Sequence, residues 1–513
     1  MVNLKQIGLL VFILFVSMLI VLFPDIAMHT NEKLMPFAII FEDTILYPIS
    51  IASNDIPIVL ILLTTGALFF TLRFGFVNIR LFPIALKIVS GKLQTLIEKE
   101  SNSVTSIHPF KALATAVSGT VGLGNIAMVA VAISIGGPGA SFWMIIAGLL
   151  GMSTKFVECT LGVKYRITDA TGKIHGGPMY YLSRGLAEKG FAKTGKILSI
   201  VFASFCIGAS FGGGNAFQTN QASAQIINRF ALSNPSTGVV IGILFAIVVG
   251  IVIIGGIKRI ADVTGRIVPI MACMYVLACL FILFSNAQLI DDALREIFYG
   301  AFSPKATISG GFATVMVQGF RRAAFSNEAG AGSASIAHSA ANTKYPVSEG
   351  IVSLLEPFID TVVICTMTAL VIVIFNLSGV FNYGDVIDGE VLFIATNERI
   401  GGAPLTSAAF ESAIPGSSYA LVVAIVLFAF STIISWFYYG SQSWAYLFGT
   451  SEKAELTYKI IFLIFSILGA AVTLEAVIKF SDAMILALVF PNMIGLFFLY
   501  PKVKEELDRF RNR

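Results

Sequence analysis

The sequence predicts an all-α polytopic membrane protein: two five-span halves of opposite orientation, preceded by one or two extra helices. Three observations carry this reading. Only 12% of the 513 residues are charged, against roughly a quarter in a soluble domain. Mean hydropathy is +0.85, and apolar runs of membrane-spanning length recur along the chain. Two of those runs, one opening each half, are interrupted by glycine and polar residues.

A soluble enzyme, a nucleic-acid binder or a disordered chain of this length needs far more polar surface. The net charge of +4 is mild. The five cysteines (Cys159, Cys206, Cys273, Cys279, Cys365) lie in apolar runs without metal spacing and read as small core residues. His29, His108, His175 and His338 are too scattered for a metal cluster.

A helix needs about 20 mostly apolar residues to cross a bilayer. The runs that qualify are 6–24, 56–76, 109–133, 140–163, 197–228, 237–256, 263–284, 307–320, 350–376, 417–447, 458–476 and 482–500. The first follows Lys5, and a cleaved signal is its alternative. No A-x-A site follows at Pro24-Asp25-Ile26-Ala27-Met28, so a retained helix is favoured. Residues 77–100 mix apolar and basic positions, as an amphipathic surface helix does. Residues 377–416, with Asp385, Asp388, Glu390, Glu398 and Glu411, read as an outer loop with a short helix.

Orientation follows from the basic residues. With the N-terminus inside, only Lys33, Arg229, Arg295, Lys305, Arg399 and Lys479 of the 34 fall outside. Arg321 and Arg322 then mark the cytoplasmic end of a pore helix. The C-terminus is cytoplasmic, and the setting is a plasma membrane of the bacterial inner-membrane type. The organisation is 1–108 for the extra helices, 109–284 and 307–500 for the two halves, and 501–513 for a basic tail.

The first half opens on Ser118-Gly119-Thr120-Val121-Gly122-Leu123-Gly124-Asn125, inside a stretch, 112–154, that contains no Asp, Glu, Lys, Arg or His. Glycine costs about 1 kcal/mol against alanine in a helix, so three in six residues argue for a break. Unwound backbone at membrane depth must be buried in protein or line a cavity. Its N–H end suits an anion and its carbonyl end a small cation. Close helix packing is the competing role of such glycines. The second half opens on 307–332, where Gly310, Gly311 and Gly319 flank Phe312, Met316 and Gln318, ahead of Phe325–Gly332. Five spans per half, each half starting with a broken helix, point to an inverted-repeat transporter with its site at the breaks.

Other polar residues have two readings. Asn215, Gln218, Gln221 and Gln225 form one helical stripe, either interhelical glue or a permeation face. Ser431, Thr432 and Ser435, near Trp436, can bond back to their own helix or offer oxygens to Na⁺. Lys155 with Glu158, and Glu356 with Asp360, have the i,i+3 and i,i+4 spacings of structural pairs, the reading favoured over function.

The segments 119–125 (GTVGLGN), 135–143 (IGGPGASFW), 176–182 (GGPMYYL), 325–338 (FSNEAGAGSASIAH) and 359–370 (IDTVVICTMTAL) resemble the alanine or glycine:cation symporter family. The resemblance covers about 70–501. The VGLGN stretch is also similar to the first core helix of bacterial neurotransmitter:sodium symporters, which ties the chain to the LeuT-type fold. The resemblance implies a ten-helix core over 109–500 and Na⁺-coupled uptake of alanine or glycine. It implies that the substrate carboxylate meets the amides of Leu123 and Gly124. Thr120, Gly122, Asn125, Gln218, Phe312, Met316, Gln318 and Trp436 complete the expected substrate contacts. The sodium site it implies comprises the carbonyls of Ser118 and Val121 and the hydroxyls of Ser431 and Thr432. Many relatives carry Thr where this chain has Leu123, and the second break is a residue or so shorter than usual.

The reading is therefore a secondary symporter of a small neutral amino acid, working by alternating access, with Na⁺ as coupling ion and no cofactor. The alternative is an H⁺-coupled or other small-solute transporter, or a channel, of the same fold. A membrane enzyme needs clustered acid–base or metal-binding groups, which the charge-free break does not offer. ATP-driven transport needs a Walker A motif, which the sequence lacks. The expected partners are alanine or glycine, Na⁺ and the lipid bilayer, with neither nucleic acid nor an obligate protein partner.

Overall fold

A computed structural model describes residues 25–51, 54–93, 106–234, 236–302, 311–387 and 389–512. The run at 6–24 and the end of the 77–100 segment lie outside the described residues, as does the side chain of Phe312. Helices dominate because a bilayer offers no water to an unpaired backbone N–H or C=O. Among the described residues, six helices are long and apolar enough to cross a membrane, and a pair bent by 47° makes a seventh.

The ten core spans follow in order. The first is Pro109–Thr120 with Gly124–Gly136, and the second is Gly139–Lys164. The third is Ala192–Phe230, the fourth Thr237–Ile253 and the fifth Gly256–Ser285. The sixth is Gly311–Asn327 with Ser335–His338, and the seventh is Pro346–Asn376. The eighth is Ser417–Phe448, the ninth Glu452–Gly469 and the tenth Leu474–Arg511. The tenth continues as helix through 501–511, so most of the basic tail is an extension of a span. Four of the five cysteines are buried; Cys273, on the fifth span, is exposed.

Two features depart from the sequence reading. Residues Asp25–Ile45, expected as a loop after the first run, form a helix packed on the tenth span. Its polar residues and Pro36 hide it from a hydropathy pattern. Ile58–Arg73 follows after a hairpin of β1 (Pro48–Ile51) and β2 (Asn54–Pro57). The 377–416 segment holds more than a short helix. After β3 (Ile167–Thr168) and β4 (Ile174–His175) earlier in the chain, it forms an antiparallel sheet of β5 (Phe381–Ile387), β6 (Glu390–Phe393) and β7 (Glu398–Gly401). The helix Gly402–Ala413 follows. This sheet packs on Val129–Gly136 and marks one end of the bundle.

Arg321 and Arg322 are a third correction. They lie inside Gly311–Asn327 rather than at a cytoplasmic helix end. Just before them, Gln318 and Gly319 pack on Gly136, Ala140 and Trp143, at the end of the bundle that carries the sheet. Arg321 Nε donates to Asp482 Oδ2 at 2.9 Å and Arg322 Nη2 to the same oxygen at 2.7 Å. Arg321 also pairs with Glu42 of the extra helix, and Lys479 Nζ donates to Glu42 Oε2 at 3.1 Å. Buried cations survive only when paired in this way, so carboxylates from two other helices fix their place.

Outside the spans, Glu411 caps the start of the eighth span. Its oxygens accept from the amides of Gly416 and Ser418, each at 2.9 Å. Hydrogen bonds from Ser418 and from those amides hold its carboxyl down at about 2, below its ordinary 4.5. A depressed carboxyl stabilises the fold above its ordinary pKa and loses that contribution as pH falls through the folded value. Glu411→Gln is expected to lower the melting temperature at neutral pH, with the gap to wild type closing between about 4.5 and about 2. Thermal melts across that range measure it.

Candidate functional site

The first span stops being regular at Thr120, and Val121 takes φ −75°, ψ 88°. Regular helix resumes only after a wide π-type turn, Gly124–Met128. Such turns collect at functional sites; a second, Phe358–Cys365 in the seventh span, packs on this one, and a third, Gly212–Ala216 in the third span, packs on the eighth. The Gly212-Gly213-Gly214 run is a signal that sequence reasoning passed over. Its missing β-carbons let other groups close in, and a β-carbon on Gly214 would overlap the Trp436 indole.

The break exposes backbone N–H groups, and side-chain oxygens cap two of them. Leu123 N donates to Gln218 Oε1 at 3.1 Å, and Gly122 N to Asn125 Oδ1 at 2.9 Å. Gln218 is held for this by its own amide, which donates to the Gly213 carbonyl at 2.9 Å. An incoming carboxylate could replace the Gln218 oxygen directly, acceptor for acceptor.

The carbonyl side of the break meets the eighth span. Thr432 Oγ1 donates to the Ser118 carbonyl at 2.9 Å, and Ser118 Oγ to the Ser431 carbonyl at 2.7 Å. Ser431 Oγ turns back to Phe428 O at 3.0 Å, and Thr120 Oγ1 bonds back within its own helix. One turn on, Trp436 Nε1 lies 3.2 Å from the Gly119 carbonyl and 3.0 Å from Glu328 Oε1. The indole thus joins the two breaks.

The second break lies after Asn327. Glu328, Gly330 and Gly332 all take positive φ (55°, 93° and 82°) before helix resumes at Ser335. The region 311–327 is regular helix, so Met316 and Gln318 sit roughly two to three turns from the break. Met316 lines an apolar crevice with Ile56, Leu60 and Phe320. Gln318 packs on Gly136, at the far end of the first span. Phe312 lies earlier still on the same helix, about four turns before the break. Instead Phe325 and Ser326 face Gly124, 3.6 Å and 3.5 Å from where its β-carbon would stand.

Asp360 of the seventh span completes the group. Its Oδ1 accepts from Asn125 Nδ2 at 2.6 Å, and its Oδ2 from Ser326 at 2.8 Å and Thr361 at 2.6 Å. Sequence reasoning paired Asp360 with Glu356 on its own helix. Phe325, Ser326 and Asp360 lie in the segments 325–338 and 359–370, but residue type and spacing alone do not mark them as site residues. Lys155 likewise pairs across helices, donating to Glu356 Oε1 at 2.9 Å. Of the polar stripe, only Gln218 reaches the break. Asn215 bonds to the ninth span, and Gln221 and Gln225 bond to Gly402–Ala413. Ser118, Leu123, Asn125, Gln218, Ser326, Asp360, Thr432 and Trp436 are all buried, so the site is closed to solvent at both ends.

Comparison with known proteins agrees with this architecture. Among solved structures, the chain resembles MhsT in complex with L-phenylalanine, with TM-score 0.50 and 13% identity over 77% of this chain and 98% of that one. It also resembles a manganese transporter of Eremococcus coleocola, with TM-score 0.51 and 14% identity over 78% and 83%. At such identities the likeness shows the fold alone: a LeuT-type transporter bundle. In sequence it is 40% identical to the sodium/alanine symporter AgcS of Methanococcus maripaludis, over 88% of this chain and 94% of that protein. It is 31% identical to the probable sodium/glutamine symporter GlnT of Bacillus subtilis, over 87% of each. The sodium:alanine symporter family model matches residues 42–513, and the chain belongs to that family of transporters.

Proposed function

We propose that the protein carries a small neutral amino acid, alanine or glycine, into the cell together with Na⁺ by alternating access. The observation that supports this best is the pair of backbone amides at Gly122 and Leu123, each capped by a replaceable side-chain oxygen. A zwitterion's carboxylate can take the place of Gln218 Oε1. Its ammonium can use carbonyls of the breaks. A strongly charged substrate side chain has no free partner beside the first break and is costly to bury. The Lys and Arg bias supports a cytoplasmic C-terminus, even with Arg321 and Arg322 moved from the inner side.

For Na⁺, the oxygens of Ser118 and Thr432 already meet, and Val121 and Ser431 lie beside them in sequence. Half-helix carbonyls and nearby hydroxyls are how such folds hold a coupling ion. Thr432→Ala removes one oxygen. The Na⁺ concentration for half-maximal transport is expected to rise about tenfold, the equivalent of ~1.4 kcal/mol, with little change in alanine affinity at saturating Na⁺. An unchanged Na⁺ dependence would assign the hydroxyl to helix packing.

Trp436 sets the size limit by occupying space over Gly214, the repulsive side of specificity. Trp436→Ala is expected to weaken alanine uptake and to admit valine, leucine or methionine as competitors. The deciding experiment is labelled alanine uptake into proteoliposomes, with and without an inward Na⁺ gradient, competed by a panel including glycine and glutamine. Gradient-independent uptake would favour a channel. Strong competition by glutamate or lysine would overturn the small-neutral assignment.

A further inference from the structure

Glu158, on the second span, is fully buried. Its Oε1 accepts two hydrogen bonds, from Gly330 N at 2.8 Å and Asn492 Nδ2 at 2.7 Å. Its Oε2 is also buried and has no hydrogen-bond partner among the described residues. The other carboxyls nearby behave differently. Glu356 uses one oxygen for Lys155 and the other for His338. Asp360 takes donors on both oxygens, and so does Glu328, from Trp436 and Ser333. An ionised carboxylate spreads its donors over two equivalent oxygens. A neutral acid takes them on its carbonyl oxygen and keeps the other for the proton, which is the pattern at Glu158.

Charge pairing points the same way. The titratable groups facing Glu158 are Lys155 and Cys159 on its own helix, Glu356 from the seventh span and Tyr181 from the 181–185 turn. Beyond them, Glu328 faces Lys155, and His338 bridges Glu349 and Glu356. Lys155 is committed to Glu356 and His338 to Glu349, at 2.9 Å and 2.7 Å. An ionised Glu158 would have to share Lys155 with Glu356, with no salt bridge of its own at membrane depth, and such an anion takes up a proton instead.

We propose that Glu158 is a proton-binding site that locks the second break, and that opening of this break is linked to loss of that proton. The lock is direct. Asn492 Nδ2 donates to both Glu158 Oε1 and the Gly330 carbonyl, so one carboxyl and one amide hold both polar groups of the Gly330 backbone. Gly330 is the middle one of the three left-handed residues of the break, with φ 93°. When the loop moves and admits water, the proton leaves Oε2 for solvent; closure takes one back. Loss of the proton places a second anion beside Glu356, which favours the open loop.

The test combines infrared spectroscopy and transport, on the full chain in lipid nanodiscs and in proteoliposomes. Wild type is expected to show the C=O stretch of a protonated carboxylic acid at neutral pH, fading at alkaline pH and absent in Glu158→Gln. Asn492→Leu, which removes one donor from Oε1, shifts the same band upward. In proteoliposomes, wild-type alanine uptake falls on the alkaline side, and Glu158→Gln flattens that fall. A carboxylic band that survives Glu158→Gln, or that Asn492→Leu leaves unshifted, overturns the proposal. So does a Glu158→Gln pH profile that superimposes on wild type. The transport readout rests on the symport reading, whereas the infrared readout does not. A wild type that takes up no alanine therefore refutes that reading and leaves the infrared result to decide the proton site.

Discussion

Gly122→Leu is expected to abolish amino-acid uptake while the protein still inserts in the membrane at normal abundance. A β-carbon at Gly122 would overlap Thr432 Oγ1 and stand 3.2 Å from Gln218 Oε1. Neither neighbour can retreat cheaply. Thr432 is tied to Ser118 O and Gln218 to Gly213 O, and both are buried. The remaining carbons of leucine would then fill the space beside the Leu123 amide, where a carboxylate is proposed to sit. Overpacking of this kind costs typically 1–3 kcal/mol in stability, which a protein of this size can survive. The loss falls on binding, because the substituent occupies the space the ligand needs. Gly122→Ala should act in the same direction with partial loss. Equilibrium alanine binding to purified protein, set beside membrane abundance, measures both. Normal affinity in Gly122→Leu would place the substrate elsewhere.

The second large effect is on stability. Lys155→Met is expected to destabilise the protein by about 3–5 kcal/mol, the usual cost of stripping one partner from a buried ion pair. Lys155 and Glu356 are both fully buried and meet at 2.9 Å. Glu356 keeps only His338 at 3.4 Å once the ammonium is gone, and His338 is shared with Glu349. Removing both charges, in Lys155→Met with Glu356→Gln, should recover a large part of the loss, because no unpaired anion remains. Thermal melts of the two single variants and the double variant form the cycle. Additive losses would show that the two groups do not act as a pair.

The Lys155 contact also marks a limit of sequence reading. Spacing along one helix suggested Lys155–Glu158 and Glu356–Asp360 pairs. In the folded chain Lys155 reaches Glu356, and Asp360 reaches Asn125. Both contacts cross between helices more than two hundred residues apart, which no local interval encodes. The first break was legible because glycines and a missing charge coincide there. The second offered two glycine clusters, around Gly310–Gly311 and around Gly330–Gly332. Local propensity does not choose between them. Tertiary hydrogen bonding does: Glu158 and Asn492 satisfy the backbone of Gly330. The interrupted stretch 307–332 covers both clusters; Met316 and Gln318 go with the first and Phe325 and Ser326 with the second, where the break forms. The helix at Asp25–Ile45 escaped because its polar residues suit contacts with charged partners rather than lipid.

Those partners give the chain a timetable. Lys479 is made 437 residues after Glu42. At about 5–20 residues per second, roughly 20–90 s of synthesis separate the carboxylate from that ammonium, and Asp482 emerges later still. Throughout that interval Arg321 and Arg322, once made, have no Asp482 to pair with. The nascent chain must therefore hold Arg322 without its carboxylate until the tenth span is under way. The ion pairs of the tenth span with the extra helix and with Arg322 thus close only after the nine core helices before it have been made.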